Sequence, residues 1–312
     1  VNDPLAGVDF ASMYTNVEMT LAFLRSLPDV DTAGGQPITF HMYWKQVRPF
    51  GRKQLLPIKS WIATQPLDHF KLYLWSDQDL SGHELLQPWR DHINFRVYDP
   101  IAEAKDTLLE GFHALASDDA RVWVGGDLFR ALILHKHGGV YVDMDSVYMR
   151  DFSLLFGDEF LYKWSWQPDM ISSAVMYLRQ RSPLSEELLR GILELPPGET
   201  SWGCVNNVRA YAKKPFRLLP CAFFNPEWVI KAGDWLHTPE GLRHVSQRDV
   251  DDIEGFQSHW ASDMRFPGSF VWHWHNRWEA PVLPGCKFQR LETLTNQRLR
   301  ERFPDAPETH FQ

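Results

Sequence analysis

Apolar positions recur along this chain with two periods, one near 3.6 residues and one of two. Phe10, Met13, Val17, Leu21 and Leu24 return at helical spacing and predict a helix within the first 36 residues, followed by a turn at DTAGGQP. ITFHMYW, HFKLYLW and INFRVYD are rich in β-branched and aromatic residues and predict three strands, with a helix over IKSWIATQP that stops before Pro66. From Ala116 to His137 the chain again predicts a helix, apolar on Leu128, Ala131, Leu132 and Leu134 with Trp123 on the same side. Gly138 and Gly139 end it. VYVDMDSVYM predicts a strand, and another is expected near EFLYKWSW, before the segment ISSAVMYLRQ and a helix over SPLSEELLRGILEL. After a polar region to about Phe266 come a strand SFVWHWHNRW and a terminal helix LETLTNQRLRERF. Strands separated by helices build βαβ units, so the expected class is α/β, with a mostly parallel, Rossmann-like sheet covered by helices on both faces. No internal repeat divides the chain.

Composition narrows the picture. With 312 residues, 44% hydrophobic and 23% charged, the chain has the makeup of a soluble globular protein with a sizeable core. Its 14 Trp and 20 Phe suit close packing first and carbohydrate contact second. A net charge of -8 argues against nucleic acid as a partner, because no basic stripe is available to neutralise phosphates. An anionic ligand would need a local device such as a bound cation. Cys204, Cys221 and Cys286 have no metal-type spacing, and their odd number suggests a reducing compartment rather than a disulfide framework. No apolar run reaches the roughly 20 residues of a membrane span and no signal peptide opens the chain. The expected location is cytoplasmic or membrane-peripheral, although a start at Val1 leaves open a trimmed anchor with a lumenal catalytic domain. The N-terminal helix is expected to pack on the core, with membrane or partner docking as the other reading.

The candidate chemistry lies in VYVDMDSV. Side chains two apart on a strand share a face, so Asp143 and Asp145 point the same way with Tyr141, while Val142 and Met144 point into the opposite layer. Two carboxylates this close repel unless one is protonated or a cation lies between them. Hard oxygen ligands suit Mg²⁺ or Mn²⁺, and an added imidazole favours Mn²⁺. The pair stands at the carboxyl end of an expected parallel strand, where open α/β sheets bind ligands. In GGDLFR, Asp127 and Arg130 are three apart on one helical face and can form an ion pair or grip a ligand's hydroxyls. Alternation in FVWHWHNRW sets Val271, His273 and His275 on one face and Trp272, Trp274 and Asn276 on the other.

GDLFRALILHKHGGVYVDMD resembles the central block of the family 32 glycosyltransferases, the sugar-binding-region family containing a DXD motif, which is related to the glucosylating domains of large clostridial toxins. FHMYW, with His41 and Trp44, resembles the family's first strand. LYLWSD resembles a segment whose aromatic lies near the nucleotide base, which implicates Trp75. Two departures stand out: Ser173 occupies a place where the family usually has Asn, and in SWGC the family's Thr-Gly-Pro keeps only Gly203, with Cys204 in place of proline.

The resemblance implies a GT-A type fold, with an N-terminal helical segment over 1–36, a catalytic domain over 37–285 and a C-terminal helical tail over 286–312. It implies a retaining, metal-dependent enzyme that moves a hexose from a UDP- or GDP-sugar to a glycan, lipid or protein hydroxyl, as in polysaccharide biosynthesis. Asp145 would ligate the metal directly and Asp143 would contact ribose, sugar or metal through water. His273 would complete the metal site, with His275 as substitute. Asp127 and Arg130 would hold the donor sugar, and Trp44, Trp75, Tyr141 and Gly203 would complete the donor site. No protein nucleophile is implied. Two other readings follow from the residues. A Mg²⁺-dependent phosphohydrolase would use the Asp-x-Asp pair as nucleophile and acid/base, with Asp251 and Asp252 as a later acidic pair. A non-catalytic carbohydrate-binding module would exploit the aromatics alone.

Overall fold

The computed structural model describes residues 37–116, 122–164, 169–196, 198–225 and 269–311, together with a few positions between 5 and 26. Among them the strands are β1 (Ile38–Trp44), β2 (Phe70–Ser76), β3 (Ile93–Val97), β4 (Gly139–Val142), β5 (Ser146–Tyr148), β6 (Phe160–Lys163), β7 (Ile171–Leu178), β8 (Arg217–Leu219) and β9 (Val271–His273). The α-helices are α1 (Arg52–Thr64), α2 (Pro100–Ala104), α3 (Val122–His137), α4 (Pro183–Leu193), α5 (Cys204–Lys213) and α6 (Lys287–Arg302).

Seven strands form one sheet in the order β3-β2-β1-β4-β7-β6-β8, and β5 pairs with β9 in a separate ribbon. β4 lies parallel to β1 and antiparallel to β7, so that β7 alone runs against the other six. The alternation of each central strand feeds two layers. Phe40, Met42, Leu72, Leu74, Val140 and Val142 join one core with Ile58, Trp61 and Ile62 of α1. Trp75, Tyr141 and Met176 join the other with Phe129, Ile133 and Leu134 of α3. The mixed α/β class, the mostly parallel sheet and the helices on both faces are therefore as expected.

Two elements differ from their patterns. α1 starts at Arg52, six residues before the expected helix, and runs through Pro57. Its first turn is held from outside, where the Gly51 N–H donates to Gln54 Oε1 at 2.9 Å, so the proline does not set the boundary. The stretch read as one strand, VYVDMDSVYM, is two. β4 ends at Val142 and β5 begins at Ser146 in the other ribbon, with the acidic residues at the step between them.

Of the N-terminal helix positions, Phe10 and Met13 are buried in the core beside Phe223, whereas Val17, Leu21 and Leu24 lie outside the described residues, as do Asp251 and Asp252. Among the described residues no helix is long and apolar enough to cross a membrane. The three cysteines are unpaired.

Candidate active site

The approach to the acidic pair is set by two glycines. Gly138 closes α3 with its N–H on the Leu134 carbonyl at 2.9 Å and takes a left-handed φ of 68°. Gly139 has φ 100°, and a Cβ there would fall 2.2 Å from the Thr39 carbonyl oxygen, so only glycine lets β4 lie this close to β1. A buried chain of hydrogen bonds braces the turn. The Trp75 indole N–H donates to His41 Nδ1 at 3.0 Å, which leaves Nε2 of His41 as the donor to the Gly138 carbonyl at 2.9 Å. Burial drives the His41 pKa down to about 3, so the ring stays neutral and the tautomer constant.

Beyond the turn, Tyr141, Asp143 and Asp145 share one side, while Val142 and Met144 enter the opposite core, so the period of two survives the break between ribbons. The Asp143 N–H still donates to Ala174 O at 2.8 Å, and the Tyr141 hydroxyl donates to Asp143 Oδ1 at 2.7 Å. β9 brings His273 opposite Ser146, with Nε2 2.9 Å from Asp145 Oδ1 and 3.9 Å from Asp143 Oδ2. After His273 the expected alternation stops. His275 and Asn276 take left-handed φ of 54° and 58°, which turns the Asn276 backbone N–H onto Asp145 Oδ2 at 2.5 Å. The strand reading of SFVWHWHNRW thus holds only over Val271–His273, and Asn276 meets the site instead of following Trp272 and Trp274 away from it. His275 lies against His273 with the rings tilted by 44° and their centroids 4.3 Å apart, and is not among the groups gathered around the carboxylates.

Asp143, Asp145 and His273 offer one ligand atom each, all within 4.8 Å of one another. The two carboxylates are pushed apart in acidity. Burial raises Asp143 above its usual range, helped by Asp145 and opposed by Arg130 and His273. For Asp145 burial acts the same way, but His273 and the Asn276 N–H outweigh it and hold the carboxyl below its usual range. Two hard oxygens and an imidazole nitrogen are a donor set that a divalent cation fits, and Asp143, Asp145 and His273 would hold it.

Beside this cluster, α3 presents Asp127 and Arg130. The guanidinium lies 3.3 Å from Asp127 Oδ1 and 3.4 Å from Asp143 Oδ1, and it donates to Ser173 Oγ at 3.0 Å and Gly126 O at 3.1 Å. Ser173 thus does use its side chain at the site, although as an acceptor for Arg130. Burial pushes Asp127 up to about 6, with Arg130 opposing and Asp143 adding. Gly203, just before α5, lies where a Cβ would be 2.7 Å from both Asp127 oxygens. Cys204 follows it, and burial raises its thiol to about 12, so it stays protonated.

Trp44 and Trp75, expected at the donor site, are enclosed. Trp44 and Trp75 are 5% and 3% exposed; the first packs on Trp278 and the second spends its N–H on His41. Both aromatics belong to the core clusters. The open space lies next to them. A cavity of about 160 Å³ at the carboxyl ends of β1, β2 and β3 is lined by Tyr43, Asp77, Tyr98, Val124, Leu128 and Trp202. Tyr43 stacks on Phe129 at 4.4 Å and Tyr98 meets Phe129 edge-on. The rule that ligands gather at strand carboxyl ends points to Tyr43, Asp77 and Tyr98, which the aromatic motif did not.

The mostly parallel sheet thus places an acidic centre at the carboxyl end of β4. Residues 52–162, which carry Asp127, Arg130, Asp143 and Asp145, match the family described as the glycosyltransferase sugar-binding region containing DXD motif. No curated protein matches the sequence. Among solved structures the chain is similar to PaToxG glycosyltransferase at 16% identity, covering 78% of this chain and 91% of that one, with a TM-score of 0.45. It is also similar to the apo form of the glycosyltransferase GlyE of Streptococcus pneumoniae, at 10% identity over 86% of this chain and 64% of that one, TM-score 0.49. Mouse xyloside xylosyltransferase 1 is 13% identical over 79% of this chain and 100% of that one, TM-score 0.43.

Proposed function

We propose that the protein is a retaining, metal-dependent hexosyltransferase that takes its sugar from a nucleotide-diphosphate donor and passes it to a hydroxyl of a glycan, lipid or protein. The observation that carries this is the convergence of Asp143, Asp145 and His273 beside the Asp127–Arg130 pair. Asp145 and His273 are the assigned metal ligands, with Asp143 bridging toward the donor; His273 is preferred to His275 because it alone stands within reach of both carboxylates. When bound, a divalent cation, Mn²⁺ in preference to Mg²⁺ given the imidazole, neutralises charge that develops on the departing diphosphate.

The remaining roles belong to the chain itself. Arg130, buried and held charged by Asp143, Tyr141 and Asp127 despite its desolvation, supplies fixed N–H donors to the donor's anionic or hydroxyl oxygens. Asp127 accepts from a sugar hydroxyl, which requires its ionised form. Gly203 leaves the Asp127 carboxylate room to meet that hydroxyl. Tyr43, Asp77 and Tyr98 receive the nucleoside in the adjoining cavity, in place of Trp44 and Trp75. We assign the catalytic unit to 37–285, with 1–36 as a separate N-terminal segment and the 286–312 tail packed on the catalytic unit.

A panel of UDP- and GDP-linked hexoses incubated with the protein and Mn²⁺ tests the reading. One donor should release its nucleotide slowly even in water, the reaction should stop with EDTA, and the freed sugar should keep its anomeric configuration by proton NMR. Full cleavage by Asp145→Ala, or hydrolysis of simple phosphate esters in place of any nucleotide sugar, would reject the assignment.

A further inference from the structure

A second cavity lies away from the acidic centre, between α1, α6 and the turn that carries Leu85. Its volume is about 250 Å³. Arg52, Leu55, Leu56 and Lys59 recur at helical spacing along one face of α1, and Glu292 and Asn296, four apart on α6, face them. Lys59 is only 3% exposed, yet no hydrogen bond or ion pair engages it among the described residues. The nearest carboxylate is already committed, because Arg52 Nε lies 2.7 Å from Glu292 Oε1 and Arg52 Nη2 pairs with Oε2. On the opposite wall the Asn296 side-chain oxygen is buried without a hydrogen-bond partner. Desolvation lowers Lys59 to about 8; Glu292 opposes the shift, and Arg300 and Arg52 add to it.

A lysine enclosed without an ion-pair partner and a buried acceptor without a donor are each unfavourable in an apolar setting. Both deficits are removed by one kind of molecule. We propose that this cavity is a binding site for a small hydroxylated organic anion, whose oxyanion pairs with Lys59, whose hydroxyl donates to Asn296, and whose carbon body lies on Leu55, Leu56 and Leu85. The site is separate from the catalytic centre and stands whether or not the transferase reading holds.

A carboxylate or a phosphate can supply the oxyanion, and two probes separate them: glycerate and glycerol 3-phosphate. Thermal unfolding and titration calorimetry are run in EDTA, so that neither probe is drawn to a metal at the acidic centre, with glycerol and sodium sulfate as controls. At least one probe should bind saturably and, at about a hundredfold its Kd, raise the melting midpoint by about 5 °C. Lys59→Met should weaken that binding at least tenfold. Its own melting midpoint should equal or exceed wild type, since the change removes an uncompensated buried charge at nearly constant volume. Asn296→Leu should weaken binding severalfold, and it carries the test alone if the lysine variant does not fold. Asp145→Ala should bind as wild type does. Absence of saturable binding by both probes, equal binding by the substituted and native chains, or an equal shift from sulfate overturns the proposal.

Discussion

Asp127→Asn should make this protein more stable at neutral pH while impairing it as an enzyme. The native carboxyl is pushed up to about 6 from an ordinary 3.8, chiefly by burial. Between those values the folded protein keeps a proton that the unfolded chain has lost, so stability falls as pH rises through the window and stays lower above it. The full difference corresponds to about 3 kcal/mol at 1.36 kcal/mol per pH unit. Because 18% of the side chain remains accessible to water, about 1.5–3 kcal/mol is the working range. Asparagine mimics the protonated form and escapes the penalty. Urea unfolding of both proteins at pH 4, 5, 6 and 7.5, without metal, should show a gap that is small at pH 4, opens between 4 and 6, and is constant beyond. Donor cleavage at pH 7.5 should fall by about two orders of magnitude in the same variant, as for loss of a preorganised polar contact. A variant less stable than wild type at pH 7.5, or a gap that ignores pH, would mean that Asp127 is an ordinary stabilising partner of Arg130.

Three further outcomes follow from the geometry. Gly139→Ala should cost about 3 kcal/mol or more in chemical denaturation, from a φ of 100° and a Cβ 2.2 Å from Thr39 O; a loss under about 1 kcal/mol would show that β4 can move off β1. Arg130→Lys should lose about 1–3 kcal/mol of stability and at least tenfold in kcat/KM for donor cleavage, because an ammonium cannot reach Ser173, Gly126 and both carboxylates together; unchanged kinetics would remove Arg130 from the donor site. Trp75→Phe should destabilise by about 1–3 kcal/mol through the stranded His41 nitrogen yet leave the donor KM within about twofold, whereas a large KM rise would return Trp75 to the base.

How far the chain can be read without coordinates depends on what each residue's signal measures. Periodicity reports which side of an element is buried, and it assigned Tyr141, Val142, Asp143 and Met144 to their layers even where regular pairing ceases. It cannot report which sheet a strand joins, so the passage of the backbone from β4 to β5 was invisible, as was the helical course of α1 through Pro57. Residue type alone also does not report enclosure: Trp44 and Trp75 are buried, whereas Tyr43 lines a cavity. The left-handed turn at His275 and Asn276 left no trace because neither residue is glycine. The family block, in contrast, was legible because Asp127, Arg130, the two glycines and both acidic residues act through spacing within one local helix–turn–strand.

Asp145 meets Asn276 across 131 positions of the chain, and the imidazole beside it arrives on the same late strand. During synthesis the chain up to Leu219 can therefore lay down the central sheet while the acidic step still lacks its imidazole. A chain clipped ahead of β9 would therefore keep the signature motif and lose the imidazole that stands beside it.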